Sequence, residues 1–316
     1  MEPIEDYPKT LLELEERFAT DLDCLEYLCK LRWPNGFVCP ACGSGEAWGN
    51  SRELFECQSC GRQTSVTAGT ILHQTRKPIR LWLRAMWHIA NQKYGANALG
   101  LQRVLGLGSY NTAWQWLHKL RRAMVRPNRE RLTGVVEVDE TYLGGKKPGK
   151  RGRGAEGKAL IAIAVEDKGE EGIGRIRLQQ IEDTSGKSLE GFITGVIGPG
   201  ATVKTDDWNG YNGVRQLGYS HIIEPPNDLK LAHLVISLMK RWLLGTYQGA
   251  VRRSHLSYYL DEFTFRFNRR TSRYRGKLFY RLVQQAMLVD PAPLAILKGT
   301  YASFATETEE GFNHNM

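Results

Sequence analysis

No apolar run in this 316-residue chain approaches the length needed to cross a bilayer. The longest, Ala159–Val165 (ALIAIAV), has seven residues, against about 20 for a spanning helix. That excludes the helical membrane-protein class. The acidic N-terminus shows no signal-peptide pattern. Cysteine is scarce, and four of the six cysteines fall into two close pairs, so a reduced, cytoplasmic setting is expected in preference to a secreted disulfide framework. Internal repeats are absent. Acidic residues are in the minority: the net charge is +9 with a pI near 9.2, which favours nucleic acid as partner over a small anion. Residues 240–281 hold eleven Lys or Arg against two acids, Asp261 and Glu262, a local balance equal to that of the whole chain.

What is there begins with the cysteines. Cys39-x-x-Cys42 and Cys57-x-x-Cys60 are separated by fourteen residues. Two such turns bring four thiolates to one ion, so Cys39, Cys42, Cys57 and Cys60 are the expected ligands of a structural zinc with no open coordination position. A ribbon this small has little core of its own, so metal binding and folding are expected to be linked.

Ahead of the ribbon, residues 11–32 have helical spacing, and Leu11, Leu14, Phe18, Leu22, Leu25 and Leu28 form the expected buried stripe. After it, Pro78 opens a helical region. IRLWLRAMWHIANQ, ANALGLQRVLG and SYNTAWQWLHKLRRAM read as three helices, with Ser109 or Asn111 as cap of the last. The last two, joined by a glycine-containing turn at Gly106–Gly108, have the form of a helix-turn-helix. Lys119, Arg121 and Arg122 then lie near its end and are expected on the DNA side, whereas Trp82, Trp87, Trp114 and Trp116 are expected in the core.

Beyond Pro127 the period changes to two. VVEVDETYL, ALIAIAVED and IGRIRLQQIED read as strands, TSGKSLEGFITGVIG as a helix, ATVKTD and YSHIIEP as two further strands, and a long helical region follows from His233. KKPGKRGRGAEGK between the first two strands is a polar loop whose Lys146, Lys147, Lys150, Arg151 and Arg153 are expected to meet phosphate. Three strands, a helix, two strands and a closing helix is the order of the ribonuclease-H-like fold. In that order the first and fourth strands are neighbours, so Asp139 and Asp206 converge and can bind hard divalent cations through oxygen. Glu137 shares a strand face with Asp139, and Glu140 points the other way.

The stretches VVEVDETYLGGKK, TDDWNGY and KRWLLGTYQGAVRRSHLSYYLDEFTFRFNRR resemble DDE-type insertion-sequence transposases of the ISXO-like group, and LRWPNGFVCPACGS is similar to their N-terminal ribbon. The likeness runs from about Phe18 to about Val289. It implies a multidomain α+β and α/β chain. Residues 1–34 are a helical segment, 35–72 a zinc ribbon and 78–127 a helix-turn-helix-like region. Residues 132–290 form a ribonuclease-H-like catalytic domain with a mixed sheet, and 291–316 a tail.

The implied activity is metal-dependent cleavage of DNA at element ends and strand transfer into target DNA, with no covalent enzyme intermediate. Asp139 and Asp206 become the first two ligands of catalytic Mg²⁺ or Mn²⁺. The family places a third ligand on the closing helix, seven residues before a lysine. Counting back from Lys240 lands on His233, and seven residues are nearly two turns, so both share a face. Glu224 and Asp228 stay open as alternative donors. Lys240 is expected beside the scissile phosphate. Arg241, Arg252, Arg253, Arg269 and Arg270, with Arg266, are expected on the DNA-facing surface, while Phe263, Phe265 and Phe267 pack inward. Double-stranded DNA is the implied partner, with a homodimer or larger assembly holding two ends, nucleoid-associated when bound. The alternative is a catalytically inactive DNA-binding protein derived from a transposase that retains the ribbon and helix-turn-helix. A third reading is a ribonuclease-H-type nuclease without joining activity.

Overall fold

Threonine side chains start the chain's first two helices. Thr10 accepts from the Glu13 amide at the head of α1 (Leu11–Arg17), and Thr20 forms a capping box with Asp23 at the head of α2 (Asp21–Arg32). The computed structural model describes residues 5–49, 53–126, 128–144, 158–248 and 251–299. Two compact units emerge, one from Met1–Pro127 with Ser272–Leu297, the other built on Asn128–Thr271. Among the described residues, no helix is long and apolar enough to cross a membrane.

The expected stripe over 11–32 holds only in part. Leu14, Phe18 and Leu28 are buried, whereas Leu11 and Leu22 are more than half exposed. The break at Ala19–Thr20 resets the helical phase, so α2 buries Cys24, Tyr27 and Leu28 instead. Next comes an antiparallel sheet of β1 (Ala47–Gly49), β2 (Leu54–Cys57) and β3 (Gln63–Ser65). Arg32 at the end of α2 donates to the Ser65 and Ala68 carbonyls at 3.1 and 2.6 Å, so the helix is clasped to the ribbon.

In the same unit, α3 (Ile79–Asn91) stacks Trp82 on Trp116 of α5 (Tyr110–Ala123), with ring centroids 3.8 Å apart. Helix α4 (Ala98–Leu105) ends at Gly106, whose left-handed φ of 62° suits glycine and turns the chain toward α5. Ser109 caps α5 by accepting from the Asn111 amide. The expectation for the end of α5 is corrected here. Arg121 and Arg122 are 2% and 8% exposed, and Arg121 donates to the Ala96 carbonyl. The last turns of α5 are its core-facing part, so these cations brace the unit from inside.

The second unit is a five-stranded mixed sheet. Its strands are β4 (Val135–Leu143), β5 (Ala159–Asp167), β6 (Ile173–Ile181), β7 (Thr202–Thr205) and β8 (Ser220–Ile223), in the order β6-β5-β4-β7-β8. β6, β5 and β4 run antiparallel, and β7 and β8 lie parallel to β4. Strand order 3-2-1-4-5 is that of the ribonuclease-H-like fold expected from the sequence. One face packs α6 (Gly186–Val196) on Val136, Val138 and Val203. The other packs α7 (Lys230–Tyr247) and α8 (Leu256–Phe267) on Ile161, Ile163 and Val165. β5 is therefore buried on both faces, and its near-continuous apolar run reflects that. The outer edge of β6 is closed by a side chain acting as a strand: Asn268 accepts from the Ile176 amide at 2.7 Å and donates to its carbonyl at 3.1 Å.

The chain then leaves this unit. Helix α9 (Arg275–Ala286) belongs to the first unit, where Phe279 meets Trp87 edge-on at 5.6 Å and the Ala286 carbonyl accepts from the Ile71 amide. Gly276 lies against the Pro8 carbonyl so closely that a Cβ would fall 1.8 Å from its oxygen. The second compact unit therefore closes at Thr271, short of the expected 290, because the apolar face of α9 finds its partners on α3 and α2. A short helix, α10 (Leu294–Lys298), occupies the start of the expected tail.

Candidate active site

Strand β4 alternates, and the alternation organises the site. Glu137, Asp139 and Thr141 share the face that meets α7. Each has a partner there. The Glu137 carboxylate accepts from the Ala232 amide at 2.8 Å, in the first turn of α7. Asp139 Oδ2 lies 3.3 Å from His233 Nε2. Thr141 Oγ1 accepts from Lys240 Nζ at 2.6 Å. Three successive inward positions of one strand thus hold three points along one helix. α7 has no side-chain cap of its own and no acid in its first turn, so Glu137 supplies the negative group that a helix N-terminus favours.

The parallel pairing of β4 with β7 sets Glu137 opposite Lys204. Two residues further on, the same register brings Asp206 beside Asp139. Asp206 Oδ1 accepts from the Trp208 amide at 3.2 Å, and Trp208 Nε1 donates to the Thr184 carbonyl at 2.9 Å, so the turn after β7 is tied to the head of α6. Gly210 sits in that turn where a Cβ would come within 2.5 Å of the Thr184 carbonyl oxygen, which requires glycine.

Burial pushes the Asp139 carboxyl up to about 6. The Glu140 and Asp206 carboxylates push the same way, against the Glu140 amide and His233. Neighbouring carboxylates in a recessed position are the electrostatic setting for a cation. Burial likewise raises Glu137, opposed by the Ala232 and Leu231 amides. It lowers Lys240, which nearby Asp139 pulls back up. On the opposite face of β4, Tyr211, fully buried, donates to Glu140 Oε2 at 2.7 Å.

Of the residues expected here, Asp139, Asp206, His233 and Lys240 come together on one side of the sheet. Asp228 is exposed and faces Lys230 at 3.9 Å. The Glu224 amide pairs with the Thr205 carbonyl, extending the β7–β8 ladder. Arg241, Arg252 and Arg253 are exposed. Arg269 and Arg270 lie over the buried Phe265 and Phe267 rings at 4.0 and 4.2 Å, and Arg270 also donates to the Ile173 and Gly174 carbonyls. Arg266 is a correction: it pairs at 2.8 Å with the buried Glu262, one helical turn away, and its side chain is 12% exposed. Lys146, Lys147, Lys150, Arg151 and Arg153 lie outside the described residues. Glu137 as cap and Thr141 as acceptor were not given these roles by sequence; the signal was their i, i+2, i+4 spacing around Asp139.

The ribbon's thiols meet a stricter geometric test. Cys39 Sγ lies 3.7 Å from Cys60 Sγ, and Cys42 Sγ 3.6 Å from Cys57 Sγ. A tetrahedral zinc with about 2.3 Å bonds demands sulfur–sulfur edges of about 3.8 Å. The two knuckles share one turn: the Gly43 amide bonds to the Cys39 carbonyl and the Gly61 amide to that of Cys57, each at 2.9 Å. Among the described residues, these cysteines are the only group of three or more candidate ligands whose donor atoms all lie within 4.8 Å. The donor set fits a structural zinc. Asp139, Asp206 and His233 do not close to that spacing as a set.

The ISXO2-like transposase domain model matches residues 131–268, and the transposase zinc-ribbon domain model matches residues 19–63, a span that includes α2 and all four cysteines. No curated protein matches the chain. The two domains cover more than half of the sequence, in the order and with the fold just described, and the chain belongs to the ISXO2-like transposases that carry an N-terminal zinc ribbon.

Proposed function

We propose that the chain cuts DNA at the ends of an insertion sequence and joins the freed ends to target DNA. The observation that carries this reading is the strand–helix pairing in which β4 and β7 present Asp139 and Asp206 while α7 sets His233 and Lys240 against the same strand. Asp139 and Asp206 would hold divalent cations, with His233 Nε2 as third donor. Nitrogen suits Mn²⁺ somewhat better than Mg²⁺. When bound, such ions supply a nucleophile at neutral pH and stabilise the leaving oxygen of an in-line displacement.

The protein's own groups do the rest. Glu137 and Thr141 fix α7, so His233 and Lys240 arrive pre-positioned. Lys240 offers a cation to the charge that builds on the phosphate in the transition state. Tyr211 and Trp208 fix the backbone around the two acids. No side chain need be a nucleophile, since positioning and charge supply the catalysis. Two ends must be held together for joining, so the working form is a dimer or larger on double-stranded DNA.

The test is strand cleavage and joining on duplexes bearing the inverted repeats that flank the gene, with Mg²⁺ or Mn²⁺. Wild type is expected to release a 3′-OH and form joined products, and Asp139→Ala and Asp206→Ala to form neither. Equal product from all three would sink the reading. Cleavage without joining would leave a nuclease, and no cleavage by wild type would leave a DNA-binding protein.

A further inference from the structure

The first unit has a charge distribution that the whole-chain balance conceals. Residues 57–127 contain eleven Lys or Arg and no Asp or Glu. Part of this charge is used internally. Arg84 pairs with Glu15, the Arg80 guanidinium donates to the Ala19 carbonyl, and Arg121 and Arg122 are buried. Lys93, Arg103 and Arg126 remain exposed. A stretch of more than seventy residues that carries exposed cations and no acid of its own is suited to a polyanion.

The α4–α5 pair lies in the middle of this stretch. Leu107 anchors the turn in the core, and Ala113, Trp116, Leu117 and Leu120 bury one face of α5. The C-terminal half of α5 is closed off, because His118, Arg121, Arg122 and Ala123 are also buried. Only the first turns are open. There Tyr110 is half exposed, Asn111 is exposed and Gln115 is partly exposed, with Asn111 and Gln115 one turn apart on one face. The first turn has no acid to mask the positive end of the helix.

We propose that α5 enters the DNA major groove by its first two turns, with Asn111 and Gln115 reading base edges and Arg103 and Lys93 gripping the flanking phosphates. The proposal rests on the DNA reading above and assigns its sequence recognition to named side chains. A carboxamide can donate to and accept from one base at once, and its matching partner in the major groove is adenine, through N6 and N7. A cation on the phosphate adds affinity without sequence preference. Recognition by the first turns of the second helix is the docking mode that a helix-turn-helix permits.

The experiment is selection from a pool of randomised 30-bp duplexes (~30 bp, about three helical turns) by the full chain loaded with zinc, without added Mg²⁺ or Mn²⁺. An inert cutting site cannot change that outcome, so failure here and failure of cleavage are distinguishable. Wild type is expected to enrich a motif containing adenines. Asn111→Ala and Gln115→Ala should each relax one position, losing about 5- to 150-fold of discrimination against the wrong base. Their zinc content and helicity should match wild type. Arg103→Ala should weaken all duplexes alike and reduce the salt slope by about one. A wild type that enriches nothing, or Asn111 and Gln115 variants that enrich the wild-type motif with undiminished discrimination, would overturn the assignment.

Discussion

The two units solve opposite electrostatic problems. The first carries a long stretch of cations without an acid, starting at the second cysteine pair of a ribbon whose four thiols are spaced for one ion. The second gathers carboxylates on neighbouring strands and holds Asp139 so recessed that its carboxyl is pushed up to about 6. The thiols already stand at the spacing a tetrahedral ion requires, while the acids do not close as a set of three. A structural ion is part of the fold. An ion that takes part in chemistry needs room for substrate, so an open arrangement is the one that can turn over. On the proposed function, the difference between the units is one between a surface that reads DNA and a site that cuts it.

The comparison breaks most forcibly at the zinc. Chelation, or Cys57→Ser, is expected to unfold the ribbon, since structural zinc supplies about 10–16 kcal/mol in small domains. Hydrogen exchange should show β1–β3 unprotected and β4–β8 unchanged; a ribbon that stays protected without zinc would contradict the fit.

Asp139→Asn and Asp206→Asn attack the other side. Cleavage should fall by about a thousandfold or more, because each removes several kcal/mol of metal-mediated stabilisation. Affinity for duplex, read by anisotropy, should stay within a few-fold. A parallel loss of affinity would mean that the two units are not separable in function.

His233 sharpens the comparison within the cutting site. His233→Glu should shift the preferred ion toward Mg²⁺, because oxygen replaces nitrogen. If His233→Ala leaves the Mn²⁺-dependent rate unchanged while Glu224→Ala or Asp228→Ala abolishes it, the third ligand is misassigned.

A smaller effect belongs to Glu137. Removing its carboxylate as Glu137→Gln should cost about 1–2 kcal/mol, the range for a helix cap, and slow cleavage in proportion to the loosening of α7. Glu137→Asp should recover part of the stability. A variant as stable as wild type would show that α7 is held otherwise.

The smallest effect is a matter of pH. Burial alone would raise Glu166, but the Arg175 guanidinium and the Arg175 and Thr133 amides outweigh it and hold the carboxyl below the usual carboxylate range. A depressed pKa stabilises the fold above the unfolded-state value near 4.5 and loses that contribution as pH falls through the folded value. Glu166→Gln should therefore flatten the acid limb of the second unit's stability and leave the first unit's untouched.

Local signals in the sequence marked much of this. Strands 135–143 and 159–167 appear at their expected bounds because their apolar runs, one alternating and one continuous, are set by which faces are buried. The cysteine spacing carried the knuckles. Asp139 and Asp206 were legible because strand order alone makes them neighbours. What depended on distant partners was not. The Glu137–Ala232 and Lys240–Thr141 bonds span 95 and 99 residues; the alternation around Asp139 puts Glu137 and Thr141 on its face but does not name their distant partners. Arg121, Arg122 and Arg266 read as surface cations because a sequence displays charge but not the carbonyl or carboxylate that receives it. The phase reset between α1 and α2 escaped for a similar reason: the stripe continues on paper across a break the backbone makes at Ala19–Thr20.

The return of α9 sets an order of events during synthesis. The first unit begins to emerge from the ribosome early, yet Phe279 and the Ala286 carbonyl, which complete its core against Trp87 and Ile71, come last. All of Asn128–Thr271 must be made in between. At about 5–20 residues per second, that is a wait of roughly 7–29 s. The second unit can fold from a continuous stretch during that time, whereas the first stays unfinished until the chain is nearly complete. A nascent chain would then have Asp139 and Asp206 in place before the core around Trp87 and Ile71 is complete.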